Sequence, residues 1–240
     1  MAGSAASGHP ADLPGPLVFV EDLEHPELSE SDRHHLDRVL RVRAGEPLIV
    51  GDGRGRWRPA VMATELEATG PIEWAERPMP ELTIGFALVK GDKPELIVQK
   101  LTELGIDRIV PFRAERSVVR WDDDKARKAV ERLRTVARAA AMQSHRAHLP
   151  VVGELADLDD LVEGGGVAIT DRGGETPSLA HPTLLVGPEG GWAPEERQRA
   201  AARVAVGTEV LRAETAAIAA GALLTGLRAG IVASPGQTAT

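Results

Sequence analysis

The chain has 240 residues, 42% hydrophobic and 27% charged, a length that suits one large or two modest domains and a composition that excludes wholesale disorder, collagen and membrane classes. It contains no cysteine, which excludes disulfides, thiolate zinc sites, iron–sulfur ligation and a cysteine nucleophile, and is compatible with a cytoplasmic location. The most apolar stretch, Ala216 to Leu227, is short, rich in Ala and Gly and stopped by Arg228, so neither a signal peptide nor a membrane span is expected.

Met1 to Gly15 is rich in Ala, Gly, Ser and Pro without periodicity and reads as a disordered leader. Leu17 to Val20 is a short apolar strand. Ser29 to Leu40 has helical spacing with Ser29 or Ser31 as its cap, and Pro47 to Val50 and Trp57 to Thr64 read as strands around the Gly51-Asp-Gly53 turn. Pro71, Pro78 and Pro80 then punctuate the chain, so a small β-rich domain is expected over residues 16–80.

Beyond Pro80 strands and helices alternate. Leu82 to Val89 is a strand, followed by a helix from Asp92 to Leu104 with an Asp92/Glu95 capping pair, an early Pro94 and a terminal Gly105. Ile106 to Phe112 is a strand. The long helix from Asp124 to Gln143 gathers Ala126, Val130, Leu133, Ala137 and Ala140 on one face and Arg127, Arg134 and Arg138 on another. Gly166 to Thr170, Thr183 to Val186 and Glu209 to Leu211 read as strands, Pro194 to Val204 and Thr215 to Ala229 as helices. Such alternation predicts an α/β domain over residues 81–232, with a mainly parallel sheet and a tail at 233–240.

The net charge of −8 argues against an unselective polyanion binder, yet its distribution is uneven. From Arg33 to Arg58 seven Arg face Asp37, Glu46 and Asp52; from Arg113 to Arg146 eight Arg and two Lys face five acids. These segments are either a phosphate-contacting surface or ordinary solvated faces.

Two strand-to-helix turns hold the remaining chemistry. Gly187-Pro-Glu-Gly-Gly191 follows an apolar strand, where glycines let backbone approach a ligand, although a plain tight turn is the simpler reading. It matches neither the dinucleotide fingerprint nor a P-loop. In Leu211-Arg-Ala-Glu-Thr-Ala216, Thr215 can cap the last helix and Glu214 suits its dipole, which leaves Arg212 without a structural reason. Gln143-Ser-His-Arg146 offers polar groups to a base or merely ends its helix. His34-His35 lacks a third ligand at helical spacing, and no G-x-S-x-G is present, so neither a metal nor a serine hydrolase is expected.

Together His34-His-Leu-Asp-Arg-Val-Leu-Arg41, Lys90-Gly-Asp92, Gln99 to Gly105, Glu115-Arg-Ser117, Gln143 to Arg146, Gly187 to Gly191 and Leu211 to Ala216 resemble the ribosomal RNA small subunit methyltransferase E family of the SPOUT class, over nearly everything from Leu17 to Val232. Met142 departs from the family, which usually carries Glu there. The resemblance implies a PUA-like, RNA-binding β-barrel and a SPOUT-type, trefoil-knotted α/β domain. A knot is an exception to the rule that chains do not thread. It also implies a homodimer through the knotted domains, with 16S rRNA as partner within the assembled small subunit and no membrane, and methylation of N3 of one uridine from S-adenosyl-L-methionine.

On that resemblance the cofactor would be held by Val186, Gly187, Pro188, Glu189, Gly190, Gly191, Leu211, Arg212, Ala213, Thr215 and Ala216. RNA would be met by His34, Arg38, Arg41, Arg43, Arg54, Arg116, Arg138, Gln143, Ser144 and Arg146. Arg116 and Arg212 are candidates to stabilise a uracil anion, as an oxyanion hole would, and Glu214 or a water is the candidate base. The competing assignment pairs Arg116 and Arg212 with Glu115 and Glu214 as structural salt bridges. A non-catalytic RNA-binding or ribosome assembly module would keep the basic segments but need no cofactor turns, and a nucleotide-dependent oxidoreductase would want the fingerprint that is missing.

Overall fold

The computed structural model describes residues 8–163 and 165–233, with the side chains of His35 and Val39 left out. The described chain forms two compact units, one running to Arg77 and taking in Ala139–Leu149, the other made of Pro78–Arg138 and the residues from Pro150 onward. Of the expected leader, residues 1–7 lie outside the described residues. Order begins sooner than Leu17: Pro10–Asp12 is a 3-10 turn capped by His9, with Pro10 buried. Of the expected tail, residues 234–240 lie outside the described residues.

In the first unit β1 (Leu17–Phe19) is followed by α1 (Glu30–His34), whose cap is Ser29: its hydroxyl accepts from Asp32 N–H at 3.1 Å and donates to the Asp32 carboxylate at 2.6 Å. The expected single helix to Leu40 changes pitch, because His35–Leu40 winds as a π-helix and ends on Arg41 in the left-handed region, φ 56°. Then come β2 (Pro47–Gly51), β3 (Arg56–Val61), β4 (Glu67–Ala68) and β5 (Glu73–Trp74). They form one five-stranded sheet in which β1 runs parallel to β2, and β3 pairs antiparallel with β2, β4 and β5. Strand alternation splits the core: Val18, Leu48 and Val50 pack with Leu36 and Met62 on one face, Leu17, Phe19, Ile49 and Trp57 with Ala141 and Ala147 on the other. The Asp52 carboxylate bends the β2–β3 turn by accepting from the N–H groups of Arg54 and Arg56.

The second unit opens with β6 (Thr83–Ala87), α2 (Lys93–Leu104), β7 (Arg108–Arg113) and α3 (Asp123–Gln143), whose last turn belongs to the first unit. After β8 (Val151–Val152) and β9 (Ala156–Asp157) it continues with α4 (Leu158–Val162), β10 (Val167–Glu175), β11 (Thr183–Val186), α5 (Pro194–Arg199), β12 (Arg203–Val204) and α6 (Ala213–Arg228). The seven strands form one sheet ordered β12-β10-β11-β6-β7-β8, with β9 also against β7, and every pair is parallel. Both faces are covered, as a parallel sheet requires. Ile84, Phe86, Leu184 and Val186 pack under α2 and α6, while Ala87, Phe112, Ile169 and Leu185 pack with Leu158 and Trp192.

Several local expectations change. Asp92 makes no side-chain cap at α2, and Glu95 instead pairs with Arg132 at 2.9 Å. The helix expected from Pro194 to Val204 stops at Arg199, so that Arg203–Val204 can pair with β10. Glu209 to Leu211 is not a strand. The last helix starts two residues before Thr215, which leaves Thr215 inside the first turn and Arg212 at the cap position without a side-chain hydrogen bond. Among the described residues no helix is long and apolar enough to cross a membrane.

Candidate active site

Strands β6 and β11 lie side by side in the sheet while their chain neighbours run off in opposite directions, the arrangement that opens a crevice at the carboxyl ends. Three segments meet at that edge. The turn after β11 supplies Gly187, Pro188, Glu189 and Gly191, the middle of β10 supplies Thr170 to Arg172, and the loop before α6 supplies Val206, Gly207 and Glu209 to Leu211. Together they line a cleft of about 300 Å³.

Of the eleven residues expected around a cofactor, Val186, Gly187, Pro188, Glu189, Gly191, Leu211, Ala213 and Ala216 line this cleft; Gly190, Arg212 and Thr215 do not. Trp192 accounts for Gly187. A Cβ there would stand 2.8 Å from the indole ring, which is fixed by donating Nε1–H to the Thr170 carbonyl at 2.8 Å and by stacking on Phe112. Gly191 turns the chain at φ 70°, a conformation L side chains rarely adopt.

Sequence reading missed much of the lining. Asp171, whose side chain is 9% exposed, accepts from Arg197 at 2.7 Å and lies 3.6 Å from Arg203, yet its buried Oδ2 receives no hydrogen bond. Glu189 and Glu209 add two carboxylates, against Arg172 and Arg197. With Val186, Trp192, Leu211, Ala213 and Ala216, the cleft is part apolar and part polar, with a slight excess of acid and no lysine. Such a lining fits an uncharged ring system attached to a cation and gives nothing for a polyphosphate.

Lys93, also missed, ties the two expected turns together. Its ammonium donates to Glu189 and lies 3.3 Å from Glu214. The contact to Glu214 is an ion pair rather than an aligned hydrogen bond. The hydrogen bond from Lys93 holds the Glu189 carboxyl below the usual carboxylate range, and the same bond raises Lys93. A lysine at the first position of a helix just past the Lys90-Gly-Asp92 turn was the available signal.

Arg116 hangs beside the same turn, its guanidinium 3.5 Å from the Gly190 carbonyl. Its backbone is set by Glu196, a 4% exposed carboxylate that accepts from Glu115 N–H at 2.8 Å while capping α5 through Ala193 N–H at 2.9 Å. Arg212 is exposed, and among the described residues neither arginine forms a salt bridge. The expected alternative pairs, Arg116 with Glu115 and Arg212 with Glu214, are therefore absent. Glu214, with a side chain 13% exposed, is taken by Lys93 instead.

The residues expected to meet RNA divide between the units. His34, Arg38, Arg41, Arg43 and Arg54 are exposed in the first unit, which also contains Gln143, Ser144 and Arg146; the Ser144 hydroxyl donates to the Ala140 carbonyl. Arg116 and Arg138 belong to the second. Charge counting overstated both basic segments. Arg58 is mostly buried and donates to the Gly70 and Leu23 carbonyls, and Arg113, Arg127, Arg132 and Arg134 are bound to acids of their own unit.

Comparison with known proteins agrees with this geometry. A family model described as an RNA methyltransferase domain matches residues 75–225, and one described as an RNA methyltransferase PUA domain matches residues 28–65. The ribosomal RNA small subunit methyltransferase E of Mycobacterium tuberculosis is 35% identical over 213 residues, covering 78% of this chain and 80% of the relative. That of Bacillus subtilis is 30% identical over 225 residues, covering 82% and 88%. The crystal structure of a ribosomal RNA small subunit methyltransferase E from Neisseria gonorrhoeae bound to S-adenosyl methionine superposes with a TM-score of 0.74 at 26% identity, covering 89% of this chain and 98% of that one. With both domain models in chain order and a parallel sheet that gathers the two turns at one edge, the chain belongs to the ribosomal RNA small subunit methyltransferase E family.

Proposed function

We propose that this chain binds S-adenosyl-L-methionine in the cleft at the end of β11 and beside the middle of β10, and methylates N3 of one uridine in 16S rRNA of the small ribosomal subunit. The observation that carries the reading is the cleft itself: glycine-built, without lysine, and flanked by Arg116 and Arg212, neither of which forms a salt bridge among the described residues. When bound, S-adenosyl-L-methionine supplies a methyl group on a sulfonium centre. Backbone of Gly187 to Gly191 and Leu211 holds the adenosine end, and the carboxylates of Asp171 and Glu209 suit the cationic end.

The protein's further task is to ready the acceptor. N3–H of uracil must lose its proton before that nitrogen can attack, and the negative charge then spreads to the ring oxygens. Arg116 and Arg212, which neither Glu115 nor Glu214 neutralises, stabilise that charge as it develops. Glu214, ion-paired with Lys93, fixes the turn that presents Arg212, and a water takes the proton. Holding acceptor and donor in line converts a bimolecular encounter into one oriented step.

The first unit presents His34, Arg38, Arg41, Arg43 and Arg54 to rRNA phosphates, which position the strand without specifying it. The family resemblance further implies a cytoplasmic homodimer acting on assembled subunits, a first sheet closed into a barrel and a knotted second unit, divided near residue 80.

Small subunits from a strain lacking the enzyme, incubated with the protein and methyl-labelled S-adenosyl-L-methionine, are expected to yield labelled N3-methyluridine in 16S rRNA. Tight binding to the subunit with no methyl transfer would make the chain an assembly module instead.

A further inference from the structure

A second cleft of about 750 Å³, larger than the first, opens beside the same sheet edge and shares none of its lining residues with the first. It is lined by Val89, Lys90 and Gly91 after β6, by Val119 and Trp121 before α3, and by Lys125 and Lys128 along the first turns of α3. A narrow crevice lined by Val89, Lys90, Val119, Pro188 and Glu189 adjoins it and reaches the glycine turn. The two clefts are thus neighbours along one edge of the second unit.

The charges of this cleft separate into those already matched and those left over. Glu95 is paired with Arg132, Asp124 with Arg127, and the Asp122 carboxylate accepts from Lys125 N–H at the start of α3. Among the described residues Lys125 and Lys128 have no acidic partner, and Lys90 faces only the exposed Glu189, already held by Lys93. Asp122, bonded to a backbone N–H, keeps its charge, so the three ammonium groups leave an excess of two positive charges. Between them stands Trp121, half-buried, making no ring contact and no hydrogen bond among the described residues. The other tryptophan of the second unit behaves differently: Trp192 is buried, stacked and hydrogen-bonded.

A flat aromatic surface framed by unmatched cations, next to a cleft that handles one nucleotide, has the chemistry of a single-stranded nucleic-acid subsite, where bases stack on rings and phosphates meet lysines. We propose that this second cleft holds the nucleotide next to the one that is methylated, its base stacked on Trp121 and its flanking phosphates on Lys90, Lys125 and Lys128. The proposal rests on the RNA methyltransferase reading. It adds a reason for the target to enter the cofactor edge in one orientation: a strand anchored on Trp121 presents its neighbour to the glycine turn through the crevice at Val89 and Pro188.

Four proteins test this: wild type, Trp121→Ala, Trp121→Phe and the double variant Lys125→Ala/Lys128→Ala. The probe is fluorescein-labelled hexauridylate, followed by anisotropy across a salt series, with cofactor affinity by calorimetry, thermal unfolding and sedimentation measured in parallel. Trp121→Ala is expected to weaken hexauridylate binding roughly tenfold to a hundredfold, the range for loss of one stacked base, and Trp121→Phe to restore most of it. The lysine variant is expected to flatten the salt slope by about 0.7 per lost phosphate contact. Cofactor affinity, unfolding and sedimentation are expected to stay unchanged.

Wild-type hexauridylate affinity in folded Trp121→Ala, with methylation of small subunits intact in the wild type, overturns the subsite and leaves the enzyme reading in place. A change in sedimentation with RNA affinity kept overturns it as well, by assigning the cleft to a second copy of the chain. A wild type that never methylates but binds hexauridylate through Trp121 removes the enzyme reading and keeps the RNA site.

Discussion

In the seven-stranded sheet every strand runs the same way, so the loops after β6, β7, β10 and β11 arrive at one edge and compete for the same space. The five-stranded sheet mixes directions, and the exposed residues expected to meet RNA come from α1, the π-turn after it and the β2–β3 turn. Charge follows the same division. In the second unit most arginines are consumed: Arg113, Arg132, Arg134, Arg197 and Arg228 each hold an acid of that unit. In the first, Arg38, Arg41, Arg43 and Arg54 stay unpaired among the described residues. On the proposed function, one unit acts through a shaped cleft, where a single atom out of place matters, and the other through a field, where each charge adds a little.

The contrast breaks most sharply at Gly187. A Val there would drive its Cβ into the Trp192 ring 2.8 Å away and fill the cleft, so cofactor affinity in Gly187→Val is expected to fall by about two orders of magnitude or more. Overpacking of this kind also costs about 1–3 kcal/mol of stability. Calorimetry with S-adenosyl-L-methionine, beside thermal unfolding, reads both. Retained affinity would mean that the cleft is not where the cofactor sits.

Next in size are Arg116→Ala and Arg212→Ala. Loss of a donor that acts only as charge develops costs on the order of 10²-fold in turnover in comparable sites, with cofactor affinity little changed. Single-turnover methylation of small subunits separates this from a folding effect, because neither side chain is buried or salt-bridged among the described residues. Near-normal turnover in both folded variants removes the electrostatic role.

Lys93→Met is expected to weaken the cofactor about tenfold, because the half-buried Glu214 loses its cation and the two turns lose their tie. The signs give a pH window. Glu189, held low by Lys93, keeps the tie above the ordinary carboxylate value of about 4.3, and it is lost as pH falls through the lowered value. Lys93, raised by Glu189, contributes fully below about 10.4 and fails as pH rises through its raised value. Wild-type affinity is thus expected to stay level from about pH 5 to pH 10 and to fall on either side, whereas in Lys93→Met, where no ion pair remains to titrate, both losses should be absent. Superimposable profiles would show that the tie does not shape the cleft.

What sequence could show depended on how locally each feature was encoded. The strand Thr183–Val186 and its glycine turn are contiguous, and the spacing of Ala126, Val130, Leu133 and Ala137 gave the buried face of α3 directly. Lys93 and Glu189 are 96 positions apart, Glu115 and Glu196 are 81, and Arg228 and Asp107 are 121, so no window contains both partners. The strand expected over Glu209 to Leu211 failed for a related reason. Parallel pairing with β10 chose Arg203–Val204, two residues too few to have a period, and left the more β-like segment to line the cleft. The cap at Thr215 was displaced because the helix could begin earlier, where Ala213 is buried against the sheet.

The smallest expected effect lies in the first unit, and Arg41 offers a way to separate its two contributions. It ends the π-turn of His35–Leu40 at φ 56° and ψ 38°, with its side chain exposed and, among the described residues, unpaired. A non-glycine residue held in that region costs on the order of 1 kcal/mol, a cost that persists where the side chain has a use. Arg41→Gly removes both the strain and the charge. Stability is expected to rise by a few tenths to about 1 kcal/mol, a few degrees at most for a chain of this length. RNA affinity is expected to fall several-fold, with a salt slope shallower by about 0.7 to 0.9, the share of one phosphate contact. A binding-neutral substitution would leave that slope alone and keep only the gain in stability, and Arg41 would then be a helix end that tolerates strain for no RNA. If affinity and slope both fall while the protein becomes more stable, the π-turn is a device that aims a cation at the backbone of the strand whose uridine the other unit receives.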